Sequence, residues 1–375
     1  MRRALTVMQV LPELEVGGVE RGTVEIARAL VAAGHRAIVV SGGGRLVREV
    51  TALGAEHVTL GIGVKRPWSL RHAATLARLM HTRDVDVVHA RSRLPAWLAW
   101  LARGLLPLRR RPHWVTTVHG PYTVNRYSRI MVSGERVIAI SAFICDYIAQ
   151  HYPDVPPAAV TVIPRGVDRT AWPHGYVPPR GWQDRFFAEH PNLLERTLLA
   201  MPARLTRWKG QADFLELVAR LRAAGRSDVH GLLIGGAHPR KRAFEDELYA
   251  MASTLGIDDA VTFLGQRNDL RELLAIAHVA YSLTNVPEAF GRTTVEALSL
   301  GTPVIGYDHG GTGEILARVL PHGRVAVGDI DGAVAATLAL LADEQAAAWR
   351  VPEDHPYTVD AMQAATLAVY ESLAS

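Results

Sequence analysis

Leu5-Thr6-Val7-Met8-Gln9-Val10-Leu11 is a nearly unbroken apolar run, followed by Glu15-Val16-Gly17-Gly18-Val19-Glu20-Arg21-Gly22 and an amphipathic stretch over residues 19–33. Continuous apolarity marks a strand covered on both faces, and the following period marks a helix. A strand passing through glycines into a helix is the opening unit of a parallel, doubly wound sheet. The glycines let the backbone approach a ligand, and the helix start offers free N–H groups to an anion. A plain tight turn would use the same residues. The dinucleotide fingerprint Gly-x-Gly-x-x-Gly is absent.

The pattern repeats outward from this unit. Strands are expected at 37–41, 57–60, 85–89, 114–118, 137–140 and 160–163, with helices at 70–82, 95–106 and 142–151. Pro173, Pro178, Pro179 and Gly181, flanked by Trp172 and Trp182, then interrupt the period. Residues 171–195 are expected to be a linker or hinge. Alternation restarts with strands at 197–202, 231–234, 261–264, 279–282 and 304–305. Helices are expected at 213–224, 241–255, 269–277, 293–300, 331–342 and 359–373. The reading is an α/β chain of two Rossmann-like domains facing each other across a cleft. Its bounds are 1–170 and 196–356, with a helix at about 357–375 returning to the first domain.

The 375 residues suffice for two full cores, and 49% hydrophobic content excludes a disordered chain. One cysteine, Cys145, excludes a disulfide framework and a Cys-rich zinc site, and a reducing cytosol is expected. Residues 1–166 hold 22 Lys+Arg against 11 Asp+Glu, whereas residues 167–375 hold 19 against 26. A basic half calls for an anionic partner, or for the acidic half of its own chain. No run approaches the ~18–20 apolar residues that span a bilayer. Met1-Arg2-Arg3 and the apolar run after it mimic a signal peptide, but Glu13 and Glu15 follow at once and no small-residue cleavage site is present.

Three further strand ends carry chemistry. Arg204 and Lys209-Gly210 open a helix, and Lys209 is one of only three lysines in the chain. Two cations five residues apart suit a diphosphate, although a solvated basic loop has the same composition. Pro287-Glu288-Ala289-Phe290-Gly291-Arg292-Thr293-Thr294-Val295-Glu296 turns from a strand into a helix. On continuous helix Glu288 and Glu296 are ~12 Å apart along the axis. A retaining glycosidase sets its paired carboxylates ~5 Å apart. These two are therefore expected to hold separate hydroxyls of one extended ligand, with N–H groups near Phe290 and Gly291 between them. Gly310-Gly311-Thr312-Gly313-Glu314 reads as a second anion nest.

These motifs, with His119-Gly120, Ile163-Pro164-Arg165-Gly166-Val167-Asp168 and Gly301-Thr302-Pro303-Val304-Ile305, occur in an order that resembles the family 4 retaining glycosyltransferases of the GT-B fold. The resemblance covers nearly the whole chain. It implies that Gly17 and Gly18 approach a donor diphosphate and that Arg204 and Lys209 neutralise it. It further implies that Glu288, with Ala289, Phe290 and Gly291, meets the donor sugar. Glu296 then holds the ribose, His119 lies beside the transferring sugar, and residues 265–268 frame the base. The implied catalytic set is His119, Glu288, Arg204 and Lys209. Transfer proceeds with retention, without a bound metal and without a cofactor, the nucleotide-sugar being a substrate. Arg165 departs from the pattern, since members often carry Asn there. It either adds positive charge to the cleft or pairs with a carboxylate, and the second reading is preferred.

On the acceptor side, Arg91, Arg93, Tyr122, Asn125 and Arg126 are expected to meet a glycan or glycolipid of the cell envelope, though plain surface loops share this composition. The stretch 117–131 is similar to that of members acting on lipopolysaccharide core. Trp97, Trp100 and Arg109-Arg110-Arg111 suit contact with an anionic membrane, here the inner face of the cytoplasmic membrane. A buried helix beside a solvated loop is the other reading. A UDP-sugar is the first donor expected and GDP-mannose the second. No nucleic acid is expected. Asp84-Val85-Asp86 and Asp329-Ile330-Asp331 match a metal-holding pattern but read as a strand entry and a helix cap. A nucleotide-sugar epimerase of this fold and a non-catalytic binder of anionic glycan or nucleic acid are the alternative functions.

Overall fold

The computed structural model describes residues 3–15, 17–65, 67–237, 243–343 and 346–374. The chain divides into two compact units, Met1–Arg165 with Val359–Ser375, and Gly166–Thr358.

The first unit is built on β1 (Thr6–Val10), β2 (Arg36–Ser41), β3 (Glu56–Thr59), β4 (Val87–Ala90), β5 (His113–Val118), β6 (Arg136–Ala139) and β7 (Val160–Val162). Their order in the sheet is β3-β2-β1-β4-β5-β6-β7, all parallel. β1 is central: Val7 pairs with Ala37 on one side and Val87 on the other. Val7, Val39, Val87 and Val115 are inaccessible to solvent, which explains the unbroken apolar runs. Each such side chain contributes roughly 1.5–3 kcal/mol when fully buried. The chain reverses its direction of progress across the sheet between β1 and β4. In doubly wound sheets that switch point opens the crevice where ligands bind.

The helix Val359–Ala374 belongs to this unit and packs on helix Gly18–Ala32. Its Tyr370 hydroxyl lies 2.6 Å from His89 Nδ1, and Thr117 Oγ1 lies 2.6 Å from His89 Nε2. Gln363 also donates to the Glu25 carbonyl. Polar groups of the chain's last helix are thus satisfied inside the first unit.

The second unit holds β8 (Thr197–Pro202), β9 (Val229–Ile234), β10 (Val261–Gly265), β11 (Val279–Ser282), β12 (Val304–Tyr307) and β13 (Arg324–Val325). The order β10-β9-β8-β11-β12-β13 is again parallel, with its switch point between β8 and β11.

Residues 171–195 are not a bare linker. They contain helix Arg180–Glu189 and belong to the second unit. Trp182 stacks on Phe186 with ring centroids 5.0 Å apart, and its Nε1 donates to Asp269. Aromatic burial outweighs the Pro and Gly that mask the helical period. Helix Val47–Ala52 also escapes the pattern, being one short turn and a half around buried Val50. Lys241, where the pattern begins a helix, lies outside the described residues, and the helix is seen from Ala243 to Thr254.

Both Asp-x-Asp sequences are structural. Asp86 accepts from the Thr6 N–H and from Arg3, fixing the entry to β1. Asp329 caps helix Ile330–Ala342 by accepting from the Gly332 N–H. Among the described residues no group of three His, Cys, Asp or Glu side chains is placed to hold a metal ion.

Candidate functional site

In the second unit the candidate side chains come mainly from the loops after β8, β10 and β11. Arg204 is exposed and, among the described residues, makes no side-chain bond. Lys209 Nζ donates to Glu288 Oε1 at 2.5 Å and lies 4.5 Å from the centre of the Trp208 ring. The side chains of the pair are 14% and 24% exposed, so neither ion is fully solvated. Two loops are tied together beneath it: the Trp208 carbonyl accepts from Thr284 Oγ1 and from the Asn285 N–H.

Glu288 precedes the helix Arg292–Leu300 rather than lying on it, so the axial separation expected from continuous helix does not apply. Gly291, at φ +95°, turns the chain between them. Glu296 is 7% exposed and accepts from Arg292 Nε at 3.0 Å. The two carboxylates therefore have different cationic partners. Ala289 lies in the same loop. Phe290 is buried, its ring edge-on to Tyr357 at 5.9 Å, and anchors the loop from below.

The glycine sequence at 310–314 is not a free anion nest. The Gly311 N–H donates to the Glu288 carbonyl at 2.7 Å. A Cβ on Gly311 would lie 2.2 Å from the Phe290 carbonyl oxygen and 2.3 Å from its Cα. The glycine exists so that the Glu288 loop can rest on this helix start.

Beside these groups is a hollow of 430 Å³, lined by Arg204, Gly235, Gly236, Gln266, Arg267 and Thr293 among others. The volume suits a nucleoside-sized ligand. Arg267 is held by Asp269, which also takes the Trp182 indole N–H. A larger hollow of 540 Å³ lies at the opposite edge of the sheet, where His278 and Pro303 precede β11 and β12, and contains none of these residues.

In the first unit, helix Gly18–Ala32 starts after extended Gly17. A Cβ on Gly17 would meet the Glu20 carboxylate, whereas one on Gly18 would meet nothing within 4 Å. The protein itself places no demand on Gly18. Arg91 follows β4 and is 2% exposed, which removes the plain-surface-loop reading for this residue. Its NH1 donates to Gln9 Oε1 at 3.0 Å, while its Nε is buried without a protein partner. Arg165 stands beside it: a Cβ on Gly22 would lie 2.1 Å from Arg165 NH1 and 3.1 Å from Arg91 NH2. Two guanidinium groups thus crowd the first turns of a helix, where the dipole already disfavours cations. Glu20 and Glu25 of the same helix act on Arg91, so part of this charge is met within the unit.

Arg165 NH2 donates to His119 Nδ1 at 2.7 Å. A guanidinium has no lone pair to offer, so Nδ1 must accept. Burial, then the charges of Arg165, Arg91 and His89, push the His119 pKa well down. The ring is therefore neutral, with its proton on Nε2. That Nε2 is buried and unpaired in the protein, leaving one N–H for a ligand oxygen. Arg165 thus has an imidazole among its partners, a contact that only the fold reveals. We expect His119 to keep the Nε2–H tautomer between pH 8 and pH 5, as read by ¹⁵N NMR. Arg165→Met should release the tautomer; an unchanged spectrum would contradict the assignment.

Of the remaining residues, Arg93, Trp97 and Trp100 lie on helix Arg93–Gly104, and Tyr122, Asn125 and Arg126 on the loop after β5. Arg93 stands over the rings of Tyr122 (5.0 Å) and Tyr127 (5.5 Å), and the Tyr122 hydroxyl accepts from the His119 N–H. Asn125 accepts from the Ser128 N–H, which makes it a turn residue, and Arg126 is exposed. Trp97 donates to the Tyr127 carbonyl, while Trp100 is exposed.

The family described as Glycosyltransferase Family 4 matches residues 16–171, and that described as Glycosyl transferases group 1 matches residues 183–350. A solved glycosyltransferase from Rickettsia africae is 26% identical, with a TM-score of 0.86 over 99% of this chain and 98% of that one. The chain belongs to the family 4-type glycosyltransferases of the GT-B fold. The alpha-maltose-1-phosphate synthase of Mycolicibacterium smegmatis is 29% identical over 58% of this chain and 54% of its own length. This GT-B chain thus spans about half the length of the curated relatives it matches. Anabaena HepE, solved with UDP and glucose, shares the fold with a TM-score of 0.78 at 19% identity, covering 98% of this chain and 100% of that one.

Proposed function

We propose that the protein transfers a sugar from a nucleoside diphosphate donor, a UDP-sugar first and GDP-mannose second, to a cell-envelope glycan or glycolipid, with retention. The observation that carries this reading is the Arg204 guanidinium, which makes no side-chain bond among the described residues and lines a nucleoside-sized hollow, together with the Lys209–Glu288 pair on the loops after β8 and β11. The HepE complex with UDP and glucose supports the donor choice.

The diphosphate meets Arg204 and Lys209, Glu296 the ribose, and Glu288 the sugar hydroxyls. As the bond from anomeric carbon to phosphate oxygen breaks, negative charge grows on the leaving diphosphate. Cations already in place stabilise that charge without reorganising. The acceptor oxygen bonds to the anomeric carbon on the same face, and its proton passes to the leaving phosphate. The first unit has groups of its own for a ligand: Gly18 leaves room for close approach, and the buried His119 Nε2–H is available to a ligand oxygen. No resident metal is needed in this scheme.

The acceptor's cell-envelope setting is supported by one edge of the first unit. Leu105 and Leu108 are 65% and 78% exposed beside exposed Arg109 and Arg110. An apolar and basic edge suits an anionic membrane surface. No helix among the described residues is long and apolar enough to cross a membrane.

Thermal denaturation with nucleotides tests the reading. A ligand at 100 times its Kd adds about 2.7 kcal/mol to the native state. UDP should raise the Tm by several degrees, and EDTA should leave that shift intact. If neither UDP nor GDP moves the Tm, the assignment fails.

A further inference from the structure

The first unit carries a second hollow that the residues assigned so far do not explain. It measures 460 Å³ and is lined by Val64, Lys65, Leu70, Leu94, Leu98 and Tyr127. Leu70 is 64% exposed and Val64 44%. Single exposed aliphatic residues are ordinary, but here two exposed ones line a concavity with half-buried Leu94 and buried Leu98, which has the character of a ligand pocket. The wall is held in place. Ser69 Oγ donates to the Val64 carbonyl at 2.7 Å, while Leu98 is anchored in the core.

A line of contacts leads from this hollow to His119. Lys65 Nζ lies 5.5 Å from the centre of the Tyr127 ring. Arg93 stands over Tyr127 and Tyr122, and the Tyr122 hydroxyl takes the His119 N–H. An apolar concavity thus gives way to two cations and then to the imidazole placed beside the transferring sugar. That gradient matches one kind of molecule: an aliphatic tail, an anionic head and a hydroxyl-bearing end.

We infer that this hollow is a subsite for the aliphatic tail of an amphiphilic acceptor, whose anionic head lies between Lys65 and Arg93. The inference rests on the transferase reading and specifies its acceptor. A bare sugar or free phosphate has no use for Leu70, Leu94 and Leu98. The tail gains by leaving water, in proportion to the apolar area it covers. Exposed Leu105 and Leu108, beyond the end of helix Arg93–Gly104, form a separate surface.

The probe is dodecyl phosphate below its micelle concentration, followed by calorimetry on the whole chain, with inorganic phosphate as control. Wild-type protein should bind one molecule saturably and at least tenfold more tightly than it binds inorganic phosphate. Leu70→Asp and Lys65→Glu alter exposed side chains, so the fold should survive, and the UDP-induced Tm shift serves as the control. Each should weaken dodecyl phosphate binding at least tenfold and leave the UDP shift unchanged. Equal binding by wild-type and Leu70→Asp protein would overturn the subsite. So would loss of binding in Leu105→Asp/Leu108→Asp but not in Leu70→Asp, which would make the contact a membrane surface. A normal UDP shift without lipid binding removes the subsite alone. Leu70-dependent lipid binding without any nucleotide binding removes the transferase reading and leaves a lipid site.

Discussion

Lys209→Ala should lower kcat/KM for sugar transfer by about two to three orders of magnitude, roughly 3–4 kcal/mol of transition-state stabilisation. The side chain is a cation already fixed by Glu288, on the same loop as Arg204, which lines the nucleoside-sized hollow. Alanine removes that charge and also strands the Glu288 carboxylate, whose side chain is 24% exposed. The two effects can be separated. Lys209→Ala should weaken UDP itself, because the diphosphate loses its counter-charge. Glu288→Ala should leave UDP binding nearly intact while transfer falls, because only the sugar contact is lost. The double variant should lose less than the two single losses combined, as expected for paired residues. Full activity of Lys209→Ala would end the diphosphate assignment.

Gly311→Ala should be nearly as damaging, although this residue touches no substrate in the scheme. The new methyl group would overlap backbone atoms of Phe290 at 2.2–2.5 Å, and backbone cannot rotate away as a side chain can. The Glu288 loop must move, its carbonyl loses the Gly311 N–H, and Glu288 leaves Lys209. Overpacking of this kind costs about 1–3 kcal/mol of stability. Misplacing a substrate-holding group by an ångström costs about 100-fold in rate. Gly18→Ala is the matched control. Its methyl group meets no protein atom within 4 Å, so the Tm should hold while donor binding falls. An active, stable Gly311→Ala would show that the loop does not depend on this contact. Unimpaired donor binding by Gly18→Ala would remove Gly18 from the site.

Much of the second unit's candidate site is legible in the sequence because its parts lie just beyond strand ends. Arg204, Lys209, Glu288 and Glu296 sit in short loops and helix starts whose glycines and apolar flanks mark them in the sequence. Two local readings failed for a common reason. The glycines at 310–314 resemble an anion nest, and residues 171–195 resemble a linker. Which N–H meets which carbonyl depends on a neighbouring loop that local spacing does not contain. The helix at 180–189 was hidden by prolines, and packing of Trp182 on Phe186 decided its fate.

By itself, the sequence determined the alternation of strand and helix, the parallel character of both sheets and the strand ends where polar groups gather. These follow from periodicity and local backbone chemistry, which act over a few residues. Tertiary structure alone decided the strand orders, with switch points at β1/β4 and β8/β11. It alone set Arg165 against His119, 46 residues away, and Lys209 against Glu288, 79 residues away. It buried Arg91 and joined His89 to Tyr370 across 281 residues. Contacts at such separations leave no periodic trace, because they are fixed by which surfaces can exclude water together once the sheets have formed.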